Sequence, residues 1–215
     1  YNLDTSFQLG GPIIRDKIWF FGGLRYQGSN RLIDTLPDAR YGITYTSYDN
    51  PATTISPFLK ITTQLSRTLR FFTMLTGDII NREHYDPGSR RAKESTFTLK
   101  NNWVGTVTGN LTWIATPNTF IDFRGGYVNR WFPIEDRDEY ANNIAYQDYY
   151  TGYIWNGIHT WQSFITRRTI QGSIRLTHFQ DNYLGGNHEF GAGVEYVHGF
   201  DRYGYARVNP LTWHY

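Results

Sequence analysis

The sequence predicts an all-β chain, an antiparallel, up-and-down set of about eight strands belonging to a transmembrane β-barrel. Three observations predict it. Apolar and polar residues alternate in eight separate stretches, the period-2 pattern of strands with one face in an apolar medium. Aromatic residues make up 18% of 215 residues, with 21 Gly, one Met and a mean hydropathy of −0.53, which suits pleated strands and not a buried helical core. The connections between the stretches alternate between short and long.

The first stretch, about 2–10, sets Leu3, Thr5, Phe7 and Leu9 against Asp4, Ser6 and Gln8. The second, about 18–29, sets Ile18, Phe20, Leu24 and Tyr26 against Arg25 and Gln27. In the third and fourth, about 57–66 and 68–82, Leu59, Ile61 and Leu65 oppose Lys60, and Leu69, Phe71, Leu75 and Ile79 oppose Arg70, Asp78 and Arg82. The fifth and sixth, about 101–114 and 119–131, separate Trp103, Val107, Leu111 and Trp113 from Thr106 and Asn110, and Ile121, Phe123, Tyr127 and Trp131 from Asp122, Arg124 and Arg130. The last two, about 168–179 and 188–203, separate Ile170, Ile174 and Leu176 from Arg175, and Phe190, Val194, Tyr196 and Phe200 from Glu189, Glu195 and Asp201. In the central part of each strand the charges share one face; His178 and His198 fall on the other.

Short connections at 11–17, 66–68, 115–118 and 181–187 alternate with long ones at 30–56, 83–100 and 132–167, so all long loops leave one end of the sheet. Outer-membrane barrels have this asymmetry, with short periplasmic turns and long extracellular loops. Trp103 and Trp113 share a face ten residues apart. That is roughly 33 Å along a strand, and a tilt of about 40° projects it to roughly 25 Å, the height of an apolar band between two aromatic belts. Gly10, Gly11 and Pro12 read as the first reversal, Arg15, Asp16 and Lys17 as its wet tip, and Trp19 and Phe21 as the start of the periplasmic belt. The last residues, 209–215, read as loop. Both ends fall on the long-loop side, so residues 1–215 read as one partial barrel domain, an open piece of a larger barrel whose first and last strands do not meet.

A net charge of +2 implies no nucleic-acid partner, and the absence of Cys removes disulfides and thiolate chemistry. There is no apolar run long enough for a membrane helix. No nucleophile elbow, phosphate loop, dinucleotide fingerprint or His-Glu-x-x-His occurs, so neither an enzyme nor a resident cofactor is expected.

Phe7-Gln8-Leu9-Gly10-Gly11-Pro12-Ile13-Ile14-Arg15-Asp16-Lys17-Ile18-Trp19-Phe20-Phe21-Gly22 resembles the early barrel signature of Oar-like TonB-dependent outer-membrane receptors. Arg70-Phe71-Phe72-Thr73 and the segment from Gly185 to Tyr196 resemble later strands of that family. The resemblance implies a 22-stranded barrel in the outer membrane of a Gram-negative bacterium. It implies active uptake of a scarce nutrient, with outer-membrane lipid, a plug domain and, through the plug, TonB as partners. Plug, TonB box and the remaining strands lie outside this chain, so no transport residue is carried over. A passive or structural barrel, and a soluble all-β carbohydrate-binding module, are the rival readings.

Candidate sites concentrate in the loop 132–167. Glu135, Asp136, Asp138 and Glu139 offer hard oxygen ligands of the kind calcium takes, without the Gly and spacing of an EF-hand; a solvated acidic loop around Arg137 is the competing reading. Tyr146, Tyr149, Tyr150, Tyr153, Trp155 and Trp161 suit a stacking platform for a sugar, peptide or chelate ligand, and equally the packed interior of a long loop. On the polar face, Arg25, Arg70, Arg124, Arg130 and Arg175 with Asp78, Asp122, Glu189 and Glu195 are expected to form a wall network toward the plug.

Overall fold

The computed structural model describes residues 1–37, 42, 44, 46–134, 139, 140, 142–158 and 164–204, and the backbone of 212–214. Its strands are β1 (Asn2–Ile14), β2 (Ile18–Thr35), β3 (Thr46–Gln64), β4 (Leu69–Tyr85), β5 (Phe97–Thr116), β6 (Thr119–Pro133), β7 (Ala145–Gln147), β8 (Ile154–Trp155), β9 (Phe164–Tyr183), β10 (Gly186–Gly204) and β11 (Thr212–His214). Eight of them form one antiparallel sheet in the order β1-β2-β3-β4-β5-β6-β9-β10. The sheet is open: β1 and β10 are its edges and do not pair with each other. This is the up-and-down meander expected.

The register carries the faces across the sheet. Residues directly opposite in antiparallel strands share a face. Phe7 faces Leu24, Ile79 faces Trp103, Trp103 faces Trp131, and Trp113 faces Ile121, which faces Leu176. Ser6 faces Arg25, Thr112 faces Asp122, and Asp122 faces Arg175. These rows keep the two sets apart, so the alternation read along each strand becomes one mainly apolar face and one mainly polar face.

The same register yields the strand inclination. Ile18, at the foot of β2, shares one cross-strand row with Thr63, Phe71, Leu111, Phe123, Ile174 and Val194. That row meets β4 two residues above its foot at Leu69, β6 four above Thr119, and β10 eight above Gly186. The line of short turns steps down by about 1 to 1.3 residues per strand, which at roughly 3.4 Å per residue and 4.8 Å per strand inclines the strands by roughly 35–43°. Transmembrane barrels fall in this range.

Several boundaries differ from expectation. The long connections shrink because the ladders continue past the alternating stretches: β2 and β3 pair without a break from Ile18↔Thr63 to Thr35↔Thr46, leaving 36–45 in place of 30–56. Beyond an apolar band both faces are wet, so backbone pairing persists with no period-2 signal to announce it. The end of this ribbon is clasped by Thr35 Oγ1, which lies 2.9 Å from the Thr46 carbonyl oxygen and 2.7 Å from Thr46 Oγ1. The expected C-terminal loop contains β11, which pairs in parallel with β7, while β7 pairs with β8.

The first turn is also built differently. Gly10, Gly11 and Pro12 lie inside β1, and the left-handed residue that makes the reversal is Asp16, at φ 60°. Gly10 serves close approach instead: a Cβ there would sit 2.8 Å from the Phe21 ring and 3.1 Å from the Phe20 carbonyl oxygen. Trp19 and Phe21 do not begin an outward belt. They face Thr62 and Lys60 on the polar face, and Ile18 and Phe20 occupy the apolar one.

Candidate functional site

The polar face carries a ladder of paired charges. Arg25 on β2 grips Asp4 on β1, with Nε donating to Oδ1 at 2.9 Å and a second contact from Nη2 to Oδ2, the fork geometry that guanidinium and carboxylate favour. Ser56 Oγ donates to Asp78 Oδ1 at 2.5 Å and Thr112 Oγ1 to Asp122 Oδ1 at 2.7 Å. At the outer end Arg167 lies 3.6 Å from Asp201 and 3.2 Å from the Tyr203 hydroxyl, which donates to Asp201. The network is more hydroxyl-based than the arginine–carboxylate set expected, because Asp78 and Asp122 are bonded by neighbouring Ser and Thr.

Aromatic residues interrupt this face near the short turns. Phe21 meets Phe58 edge-on at 5.7 Å, and Lys60 Nζ lies 5.5 Å from the centre of the Phe72 ring. Beside them a shallow depression crosses β5, β6 and β9, lined by Phe72, Thr108, Asn110, Arg124, Gln171 and Glu195. Asn110 Oδ1 is buried there without a hydrogen-bond partner.

The long-loop end is a packed body of its own. Tyr48, Phe97, Leu99, Phe132, Ala145, Tyr153, Ile154 and Ile158 are buried, and all lie in the loops or the strand ends that lead to them. Tyr48, Leu99 and Phe132 occupy rows of the polar face, so the loops fold over that side of the sheet. Backbone bonds knit separate loops together: Leu36 N to Ser89 O, Ala92 N to Ile154 O and Ile154 N to Arg90 O, each at 2.9 Å. Glu94 Oε1 accepts from Asn156 N at 3.1 Å. His84, fully buried, has Nδ1 2.7 Å from Thr96 Oγ1 and its ring edge-on to Tyr48. The Thr96 hydroxyl donates to the Lys93 carbonyl oxygen, which leaves His84 Nδ1–H as the donor to Thr96.

The expected aromatic platform divides. Tyr153 is 3% exposed and belongs to the packed interior. Tyr146 and Trp155 stack across the β7–β8 pair at 5.6 Å. Tyr149 and Tyr150 are 78% and 87% exposed, edge-on to one another at the loop tip. Trp161 and the acidic residues Glu135, Asp136 and Asp138 lie outside the described residues, and Glu139 is exposed. Among the described residues no three His, Asp or Glu side chains converge as a metal site. Asp148, which is not among the residues expected to form the site, organises the tip. It is fully buried and its Oδ1 accepts from Tyr150 N and Thr151 N at 2.8 and 2.9 Å. An Asp followed three and four residues later by Thr151 and Gly152 is a turn signal that would have found it.

A two-faced, inclined meander with short turns at one end and packed loops at the other matches one solved architecture. The fold is that of an outer-membrane barrel segment. The crystal structure of the outer membrane transporter YddB from Escherichia coli superposes on 92% of the chain at a TM-score of 0.64 and 12% identity. The chain spans 25% of that transporter's length. No family model and no curated protein matches the sequence.

Proposed function

We propose that this chain is wall of an outer-membrane barrel that takes up a scarce nutrient, energised through TonB, with a plug against the polar face. The observation that carries the reading is the contrast of faces. One is bare and apolar, with Ile170, Val107 and Trp113 on inner strands 52%, 43% and 43% exposed; the other holds paired charges and is roofed at one end by loops. A bare apolar face on a sheet of this size needs an apolar solvent. The free backbone edges of β1 and β10 cost several kcal/mol per unpaired group in lipid, so they call for further strands of the same barrel. Ligand contacts belong to the exposed Tyr149 and Tyr150 and to the Tyr146–Trp155 stack, with Glu135, Asp136, Asp138 and Glu139 as a calcium-binding rim.

The test uses the full-length protein in its own cells under nutrient limitation. Outer-membrane fractionation and energy-dependent uptake are the expected results, and collapse of the inner-membrane proton gradient should stop uptake. Uptake that continues without the gradient would mean a passive channel. Recovery of the folded protein from the soluble fraction would remove the membrane altogether.

A further inference from the structure

On the apolar face β9 and β10 carry two arginines that the alternation does not explain. Neighbouring residues in a strand point to opposite faces, so Arg167 and Asp201 lie on the polar face and Arg168 and Arg202 on the apolar one. Arg168 faces Asn129 on β6 and Phe200 on β10; Arg202 faces Thr166. The two faces treat their arginines differently. Arg167 is paired with Asp201 and Tyr203, whereas Arg168 has no hydrogen-bond or ion-pair partner among the described residues. β9 is not an edge strand, so the neighbours of Arg168 on both sides are present. Its diagonal neighbours are Tyr127, Trp131, His198 and Arg202, and no carboxylate is among them.

The stagger of the sheet sets the height of these residues. Arg168 lies in the row of Gly105 and Asn129, two residues below Trp103 along β5. Two strands of stagger, at about one residue per strand, lift it back to the level of Trp103. Arg202 is diagonal to Arg168, roughly 7–8 Å away, and the strand inclination places it straight above, toward the long loops. Its guanidinium lies 5.7 Å from the centre of the Phe164 ring, which stacks on Trp131 at 5.4 Å.

We propose that Arg168 and Arg202 form a binding site for the phosphate of a lipid in the outer leaflet, a reading that rests on the membrane assignment above. An unpaired guanidinium at an aromatic belt, with a second one vertically above it, is complementary to a phosphate in the headgroup layer. Each guanidinium presents a fork that matches phosphate oxygens, the long side chains reach upward from the strand, and Asn129 adds a neutral donor. Ile170 and Tyr127, one row nearer the bilayer midplane than Arg168 on the same face, provide the apolar surface for the start of the acyl chains, and the Phe164 and Trp131 rings flank the site at the aromatic belt.

The test is lipid retention by the full-length protein, reconstituted in phosphatidylcholine vesicles doped with phosphatidic acid, extracted in neutral detergent and read by native mass spectrometry. Arg168→Gln and Arg202→Gln should each weaken phosphatidic acid retention about five-fold and the double variant about thirty-fold. Arg67→Gln, at the opposite membrane surface, should leave it unchanged. Heat-modifiable gel mobility checks that each barrel is folded, and removing a charge from this face favours folding. Inorganic phosphate in millimolar excess should not displace the lipid. Retention by the double variant equal to wild type, an equal loss in Arg67→Gln, or full displacement by inorganic phosphate would each overturn the lipid site. Failure of the wild type to enter vesicles would instead bring down the membrane reading, and this site with it.

Discussion

Val107, Trp113 and Ile170 on inner strands of the sheet are 43%, 43% and 52% exposed, while Leu99, Tyr153 and Ile154 at the loop end are 3%, 3% and 7% exposed. Both regions are rich in apolar residues, yet only the loops bury theirs. The sheet is held by backbone ladders and by what lies outside it; the loop body is held by its own packing. Loops are ordinarily mobile surface connections. Here Leu36, Ser89, Arg90 and Ile154 join three of them by main-chain bonds, so this end behaves as a small domain on the rim of a wall.

Four substitutions break or sharpen the contrast. The largest effect is expected at the junction. Phe132 is 6% exposed, with Tyr85 edge-on at 5.4 Å and the Arg130 guanidinium 4.9 Å from its ring centre. Phe132→Ala should destabilise the loop body by about 3–5 kcal/mol. Protease cutting in the 134–163 loop should accelerate while the membrane-embedded ladders keep their amide protection. Simultaneous loss of both would mean that the two regions are one cooperative unit.

In the wall, Val107→Arg puts a charge on the apolar face near the middle of the band between Trp103 and Trp113 and should cost about 2–4 kcal/mol in lipid. Thr106→Arg, on the polar face of the same strand, points away from lipid and should cost far less. Urea midpoints of the full-length barrel refolded into vesicles measure both; equal shifts would contradict the assigned faces.

The smallest effect is a gain. Leu184, 83% exposed in the last short turn, adopts φ 49° beside Gly185 at φ 82°. The left-handed conformation costs a Leu about 1–2 kcal/mol, a penalty that Asn largely escapes. Leu184→Asn should therefore raise the urea midpoint by the equivalent of about 1 kcal/mol, with no change in the loop body. An unchanged or lowered midpoint would show that the Leu184 side chain has a role in the membrane surface that outweighs the backbone.

The chain by itself determined the wall. Alternation records which medium each side chain meets, so eight strands, two faces, and the short and long ends were legible in residues such as Leu111 beside Thr112 and Arg175 beside Leu176. The expectation of an open sheet, drawn from both ends falling on the long-loop side, is also met, since β1 and β10 do not pair with each other. Wherever the medium stopped alternating, the record ended. Only the tertiary structure decided that β2 and β3 run on to Thr35 and Thr46, that Tyr153 is packed and Tyr150 is bare, and that Asp148 builds the tip. Aromatic content alone could not place Trp19 and Phe21. A ring is compatible with either face, and it was the pairing with Thr62 and Lys60 that chose. The same register exposed Arg168 and Arg202 as charges on the apolar side, because parity in one strand acquires a height only when its neighbours are in place.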